Sequence, residues 1–193
     1  MTVRASQVVK VQIFPFFIGK AAIASFIKSS HMQDTFKRGR SDFEKYLKSF
    51  IGDLAKNAVK WWLETNGFEV LDWDDIRRSW RSSRKNYDLE VNNYKIEVKS
   101  SIVNTDNLSQ ALRNNNIIHP TYTKMKDITV QVFFPDTRCI EAWICAWVKK
   151  EDFDDPRFIS PRRINNRNVP FYLMPFSDEK ARPMRELIDY LRQ

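Results

Sequence analysis

Several residue types are scarce in this 193-residue chain, and each scarcity excludes something. There are four glycines, Gly19, Gly39, Gly52 and Gly67, with no two close enough for a P-loop or a dinucleotide fingerprint. Loops that cradle phosphates with glycine are therefore excluded. Histidine occurs only at His31 and His119, and cysteine only at Cys139 and Cys145. That leaves no Cys/His cluster for zinc and argues against a His-centred nuclease fold. The two cysteines fall in one strand-like run, which would hold their Cα atoms about 20 Å apart, beyond disulfide reach. They read as buried thiols in a reducing compartment, and so as a cytoplasmic protein.

Acidic residues are missing from the first 33 positions, which carry Arg4, Lys10, Lys20 and Lys28. Half of the net charge of +8 therefore comes from this segment. Apolar residues dominate Val11 to Ile27, in the manner of a signal peptide or a short anchor. Pro15 and Lys20 interrupt the run, and no stretch reaches the roughly 18 residues of a membrane span. No stable membrane association is expected. The plainer reading is a strand and a helix docked on the domain; a further reading takes Met32 as the functional start. Residues 1–33 are thus an N-terminal apolar and basic extension, and 34–193 a single domain.

What is present suits a globular chain: 42% hydrophobic and 29% charged residues, with six Trp and fourteen Phe for a core. The length suits one domain. The basic balance makes a polyanion such as nucleic acid a plausible partner. Ser41 to Glu44 form a capping box that opens a helix over 41–66, with Phe43, Leu47, Phe50, Leu54, Ala58 and Trp61 at helical spacing and Gly67 as its left-handed cap. A short strand (68–73) and a polar, basic connection (74–85) follow. Residues 104–115 read as a short helix capped by Asn104 or Thr105. "DITVQVFF" and "CIEAWICAWV" read as strands, the second apolar on both faces as a covered central strand is. "KKEDFDD" suggests a short helix, 160–168 a basic loop, and Met184, Leu187, Ile188 and Leu191 the core face of a last helix. The fold class is α/β (α+β): one domain with a central mixed sheet flanked by helices.

The stretch "YDLEVNNYKIEVKSS" (87–101) carries the chemistry. Asn92-Asn93 is a two-residue turn between alternating strands. Tyr94, Ile96 and Val98 share one face, Lys95, Glu97 and Lys99 the other. Pairing 91 with 94, 90 with 95 and 89 with 96 sets Asp88 opposite Glu97. Two carboxylates that close repel one another, and a divalent cation between them relieves it. Lys99, on the same face, can offset negative charge on a reacting phosphate.

Tyr87-Asp88 followed by Glu97-Val98-Lys99 resembles the PD-(D/E)xK nuclease superfamily, here without the proline. The helix before the first strand and the strand–helix–strand that follows extend the resemblance over about residues 41–150. It implies a restriction endonuclease-like fold and a metal-dependent DNA endonuclease. Asp88, Glu97 and the Val98 carbonyl would hold Mg²⁺ or Mn²⁺, and Lys99 would act on the attacking water. Asp53, or less directly Glu44, would be the additional acidic residue of the helix. A type II restriction endonuclease acting as a homodimer is the first expectation. A junction resolvase, a homing nuclease or a transposon-end nuclease of the same fold is an alternative.

Arg77, Arg78, Arg81, Arg84 and Lys85, with Trp80 among them, run into the Asp88 strand and suit DNA phosphates. Arg162, Arg163 and Arg167 form a second basic patch, with Asn165, Asn166 and Asn168 placed to read adenine edges. Two rival readings are a non-catalytic nucleic-acid-binding module, whose hairpin charges are only a solvated face, and a membrane-associated protein anchored by residues 11–27.

Overall fold

The computed structural model describes residues 3–31, 41–76, 87–119, 125–164 and 167–193. Its centre is a mixed six-stranded sheet in the order β1-β7-β6-β4-β3-β2. The strands are β1 (Val9–Gln12), β2 (Leu71–Asp72), β3 (Leu89–Val91), β4 (Tyr94–Ile102), β6 (Ile128–Phe134) and β7 (Glu141–Lys149). Neighbours are antiparallel except β4 and β6, which run parallel with Glu97 beside Thr129 and Lys99 beside Gln131. A parallel pair needs a crossover, and α4 (Leu108–Asn114) and β5 (Asn116–His119) lie within it. The remaining strands, β8 (Ile159–Ile164) and β9 (Arg167–Pro175), join β5 in a second sheet, β5-β9-β8.

Alternation along the strands gives the large sheet two apolar faces. Ile96, Val98, Val130 and Ile144 pack with α2 (Asp42–Thr65) and α5 (Met184–Leu191). Phe133, Trp143, Cys145 and Val148 pack with α4 and the second sheet. β7 is buried on both faces, as its uniformly apolar sequence predicts. Gln131 pairs with Ala146 but Val132 with Ile144, so Cys145 is the extra residue of a β-bulge.

The N-terminal segment is part of this body. β1 pairs with β7, and α1 (Pro15–His31) lies along α2, its Phe17 and Ala21 buried in the same core as Ile96. The two helices are antiparallel: Phe14 meets Trp61 near one end, and Ser25 meets Asp53 near the middle.

The start and stop signals of α2 work as read. Ser41 accepts from the Glu44 N–H while the Glu44 carboxylate accepts from the Ser41 N–H. At the other end Gly67 has φ of +87°, the Phe68 N–H reaches the Leu63 carbonyl and the Gly67 N–H that of Glu64, a Schellman motif. The core face of α2 differs from expectation. Phe43, Leu47 and Trp61 are exposed, and Leu54, Ala55, Ala58, Val59, Trp62 and Leu63 are buried. A helix packed against both a sheet and a second helix buries a wider stripe than one spacing describes.

Three further local expectations are corrected. The N-cap of α4 is Asn107, whose side chain accepts from the Gln110 N–H at 3.0 Å; Thr105 instead accepts from the Asn107 N–H. Cys139 precedes β7 with φ of +52°, and both cysteines are free. Residues 160–164 and 167–168, expected within a loop, lie along the β8–β9 pair, with Pro161 opposite Pro170. Pro161 is tolerated because β8 is an edge strand of this sheet, and Pro170 lies on β9 ahead of the stretch that pairs with β5. α5 buries Met184, Leu187, Ile188 and Leu191 as its periodicity requires.

A buried ionic knot ties α1, α2, β2 and the short helix α3 (Trp73–Ile76) that follows it. Lys56 bridges Asp72 at 2.7 Å and Asp74 at 2.5 Å. Lys28 of α1 bridges Asp74 at 2.6 Å and also contacts Asp53, which accepts from the Ser25 hydroxyl at 2.7 Å. Burial alone would lower the Lys56 ammonium, but Asp74, Asp72 and Asp53 outweigh it and raise it. Burial raises the Asp74 carboxyl, but Lys56 and Lys28 outweigh it and hold it well below its ordinary 3.8.

Removing one member of such a knot strands charge in the interior. Lys56→Met should therefore cost about 3–5 kcal/mol, read from urea denaturation. A depressed carboxyl contributes stability above its unfolded pKa and loses it as pH falls through its folded one. Stability should thus decline below about pH 4, and Asp74→Asn should flatten that acid limb; an unchanged limb in the variant would remove Asp74 from the account.

Candidate functional site

The hairpin of β3 and β4 forms as the alternation requires. Asn92 and Asn93 have φ of 47° and 69°, the paired positive values of a type I′ turn. The Asn92 amide also donates to the Leu191 carbonyl at 2.8 Å, anchoring the turn to α5. The register pairs Val91 with Tyr94, Glu90 with Lys95 and Leu89 with Ile96.

Asp88 leaves this ladder rather than continuing it opposite Glu97. Its N–H donates to the Ile96 carbonyl at 3.0 Å, and its own carbonyl accepts from the Trp73 N–H at 3.1 Å. Its carboxylate accepts from the Val98 N–H at 2.8 Å. The side chain therefore bonds to the middle residue of Glu97-Val98-Lys99, and it is buried. In an antiparallel pair a residue presents its N–H and C=O to the same neighbour. The Val98 carbonyl consequently faces the Asp88 side.

Glu97 and Lys99 occupy the opposite face of β4 from Ile96 and Val98. They are half-buried, and Lys99 Nζ lies 2.7 Å from Glu97 Oε1. Glu97 and Lys99 are thus paired on one face of β4, and the Asp88 carboxylate is held at the N–H of the residue between them in sequence.

The other expected residues fall elsewhere. Asp53 is buried in the ionic knot, held by Ser25 and Lys28, and α2 packs on the Ile96–Val98 face. Glu44 is engaged in the helix cap. Arg77, Arg78, Arg81, Arg84 and Lys85 lie outside the described residues, as do Asn165 and Asn166. Arg162 and Arg163 lie on β8, and Arg167 and Asn168 on β9.

The structure adds residues that sequence reasoning missed. Gln131 is buried beside Lys99 in the parallel register; its amide donates to the Lys99 carbonyl at 3.2 Å, and its oxygen accepts from the Ile118 N–H at 3.4 Å. Thr129, beside Glu97, has a buried hydroxyl with no hydrogen-bond partner among the described residues. Asp127 accepts from the Lys95 N–H at 2.8 Å. Single polar residues inside the strand "ITVQVFF" were the available signal. Nearby, burial and a hydrogen bond to Glu90 push the Tyr87 hydroxyl up to about 12.

Two carboxylates and a backbone carbonyl are hard oxygen donors, the set that suits Mg²⁺. Mg²⁺ is commonly held by one or two carboxylates together with substrate phosphate, so two suffice. Among the described residues there is no cluster of three or more His, Cys, Asp or Glu side chains placed to hold a metal. The cysteines offer no alternative centre; burial pushes the Cys145 thiol up, away from the thiolate that binds metal. No helix among the described residues is long and apolar enough to cross a membrane. Comparisons with known protein families, with characterised proteins and with solved structures give no match.

The Asp88–Val98 bond makes a structural prediction free of any assigned function. Asp88→Ala leaves a buried N–H without its acceptor and should cost about 1–3 kcal/mol. Asp88→Asn keeps an acceptor oxygen and should cost less. Chemical denaturation of the two variants checks the order.

Proposed function

We propose that this chain is a metal-dependent DNA endonuclease of the PD-(D/E)xK type, with Asp88, Glu97 and Lys99 as its site. One observation carries the reading: the Asp88 carboxylate is bonded to the centre of the Glu97-Val98-Lys99 segment, with Glu97 and Lys99 paired at its partly exposed face. The order α2, β2, β3, β4, α4, β6, with β4 parallel to β6, supports it. It supplies the helix before the first strand and the strand–helix–strand after the motif that the resemblance implies.

In this reading Asp88, Glu97 and the Val98 carbonyl would hold Mg²⁺ or Mn²⁺, which would supply positive charge to polarise a phosphate oxygen and to lower the pKa of water. The chain does the rest. Asp88 is oriented by the Val98 N–H, so its carboxylate is fixed before substrate arrives. Lys99 presents its ammonium beside Glu97, where it offsets the negative charge that grows on the scissile phosphate as the 3′ oxygen leaves. Gln131 of the neighbouring strand β6 holds the Lys99 carbonyl. The arginines at 77–84 hold the duplex by its phosphates. A type II restriction enzyme, working as a homodimer in the cytoplasm, remains the first choice of role.

Incubation with plasmid DNA should give cleavage with Mg²⁺ and none with EDTA. Asp88→Asn and Glu97→Gln should abolish cleavage in a folded protein. Lys99→Ala should slow single-turnover cleavage on the order of a hundredfold or more. Lys95 is the control: its side chain is exposed beside the Tyr87 ring, and Lys95→Ala should be mild. Equal, modest effects at both lysines would return this face to ordinary surface.

The arginine assignment has its own readout. Replacing Arg77, Arg78, Arg81 and Arg84 with Ala should reduce the log–log salt slope of DNA binding by roughly 0.9 per lost contact. A slope equal to that of the unaltered protein would place the DNA surface elsewhere.

A further inference from the structure

Thr129 is 1% exposed, and its hydroxyl has no hydrogen-bond partner among the described residues. A polar group left unpaired in the interior costs stability, so its presence asks for a reason. Packing does not supply one. Valine would fill the same space without that cost and suits a strand at least as well.

The register says where the hydroxyl can act. Residues paired side by side in a sheet share a face, on strands about 4.8 Å apart. Thr129 has Glu97 of β4 on one side and the apolar Val148 of β7 on the other. Two residues along its own strand, Gln131 is engaged with the Lys99 and Val132 carbonyls and the Ile118 N–H. Two residues the other way, Asp127 accepts from the Lys95 N–H. Glu97 is therefore the polar neighbour across which this hydroxyl stands. Its carboxylate is held by Lys99 at 2.7 Å. Lys99 lies two residues along β4, so that bond draws the carboxylate along the strand and not across it to Thr129.

The proposed chemistry must break that pairing. Lys99 serves a phosphate only when its ammonium leaves Glu97, and a cation held at Glu97 repels that ammonium. The carboxylate then loses its donor. Carboxylates that ligate metals are themselves hydrogen-bonded by neighbouring groups, which fix their orientation. We propose that Thr129 is a positioning residue of this site: its hydroxyl donates to the Glu97 carboxylate once Lys99 has turned away. The hydroxyl stands unpaired while Lys99 holds its acceptor. The inference rests on the reading of Asp88, Glu97 and Lys99 as a metal-dependent site.

Mn²⁺ binding to the full chain, followed by electron paramagnetic resonance, is the experiment, with urea denaturation beside it. Thr129→Val should weaken Mn²⁺ binding by about ten- to a hundredfold. Its unfolding midpoint should equal or exceed that of the unaltered protein, because an unpaired hydroxyl has been removed. Thr129→Ser keeps the donor and should restore binding. A threonine with a merely structural role would move the midpoint and leave the affinity alone. If Thr129→Val binds Mn²⁺ as the unaltered protein does while Glu97→Gln does not, this inference is overturned and the site reading stands. A serine variant as weak as the valine one, or a valine variant with a lowered midpoint, also overturns it. So does an unaltered protein that binds no Mn²⁺, and plasmid cleavage then decides the site reading separately.

Discussion

The contact on which most of this structure depends is the buried exchange between two lysines and three aspartates. Lys28 comes from α1, Lys56 and Asp53 from α2, Asp72 from β2 and Asp74 from the short helix Trp73–Ile76 that follows it. None of these charges would be stable alone in the interior, so each element requires the others to be in place. Apolar packing lets helices slide at small cost; a network of charge-assisted hydrogen bonds has one low-energy arrangement. It fixes where α1 lies on α2 and where the chain stands as it enters β3.

That fixing reaches the candidate site through the backbone. Trp73 follows Asp72, and its N–H donates to the Asp88 carbonyl. The same residue's carboxylate then bonds to the Val98 N–H. A chain of short contacts thus runs from the knot to the strand bearing Glu97 and Lys99. On the other side of that strand Gln131 secures Lys99 to β6 and links both to β5. Two supports thus reach this strand, one at the Val98 N–H and one at the Lys99 carbonyl.

The knot also accounts for the character of α1. Lys28 is drawn to the aspartates of the knot and Lys20 to the partly exposed Asp75, while Phe16, Ile23 and Phe26 remain exposed. A segment that reads in sequence like a leader or an anchor is, in the fold, a strand at the sheet edge and a helix on α2.

The amino-acid sequence by itself determined what is local. The capping box of α2, the Gly67 stop, the Asn92-Asn93 turn and the register beyond it follow from a few adjacent residues, because turns and caps are closed by hydrogen bonds over short separations. The alternation that puts Glu97 and Lys99 on one face is likewise a property of an extended strand. Only the tertiary structure decided what depends on distant partners. Asp53, which its helix alone offers as a site carboxylate, is taken by Lys28 and Ser25 from another helix. Asp88, which simple pairing sets opposite Glu97, turns instead to the Val98 N–H because the strand ladder ends there. Residues 160–164 and 167–168, read in sequence as part of a basic loop, fall on the paired strands β8 and β9, and β9 continues into pairing with β5. Such choices are settled by which groups meet across the fold and must share or neutralise charge, and a linear pattern does not contain those meetings.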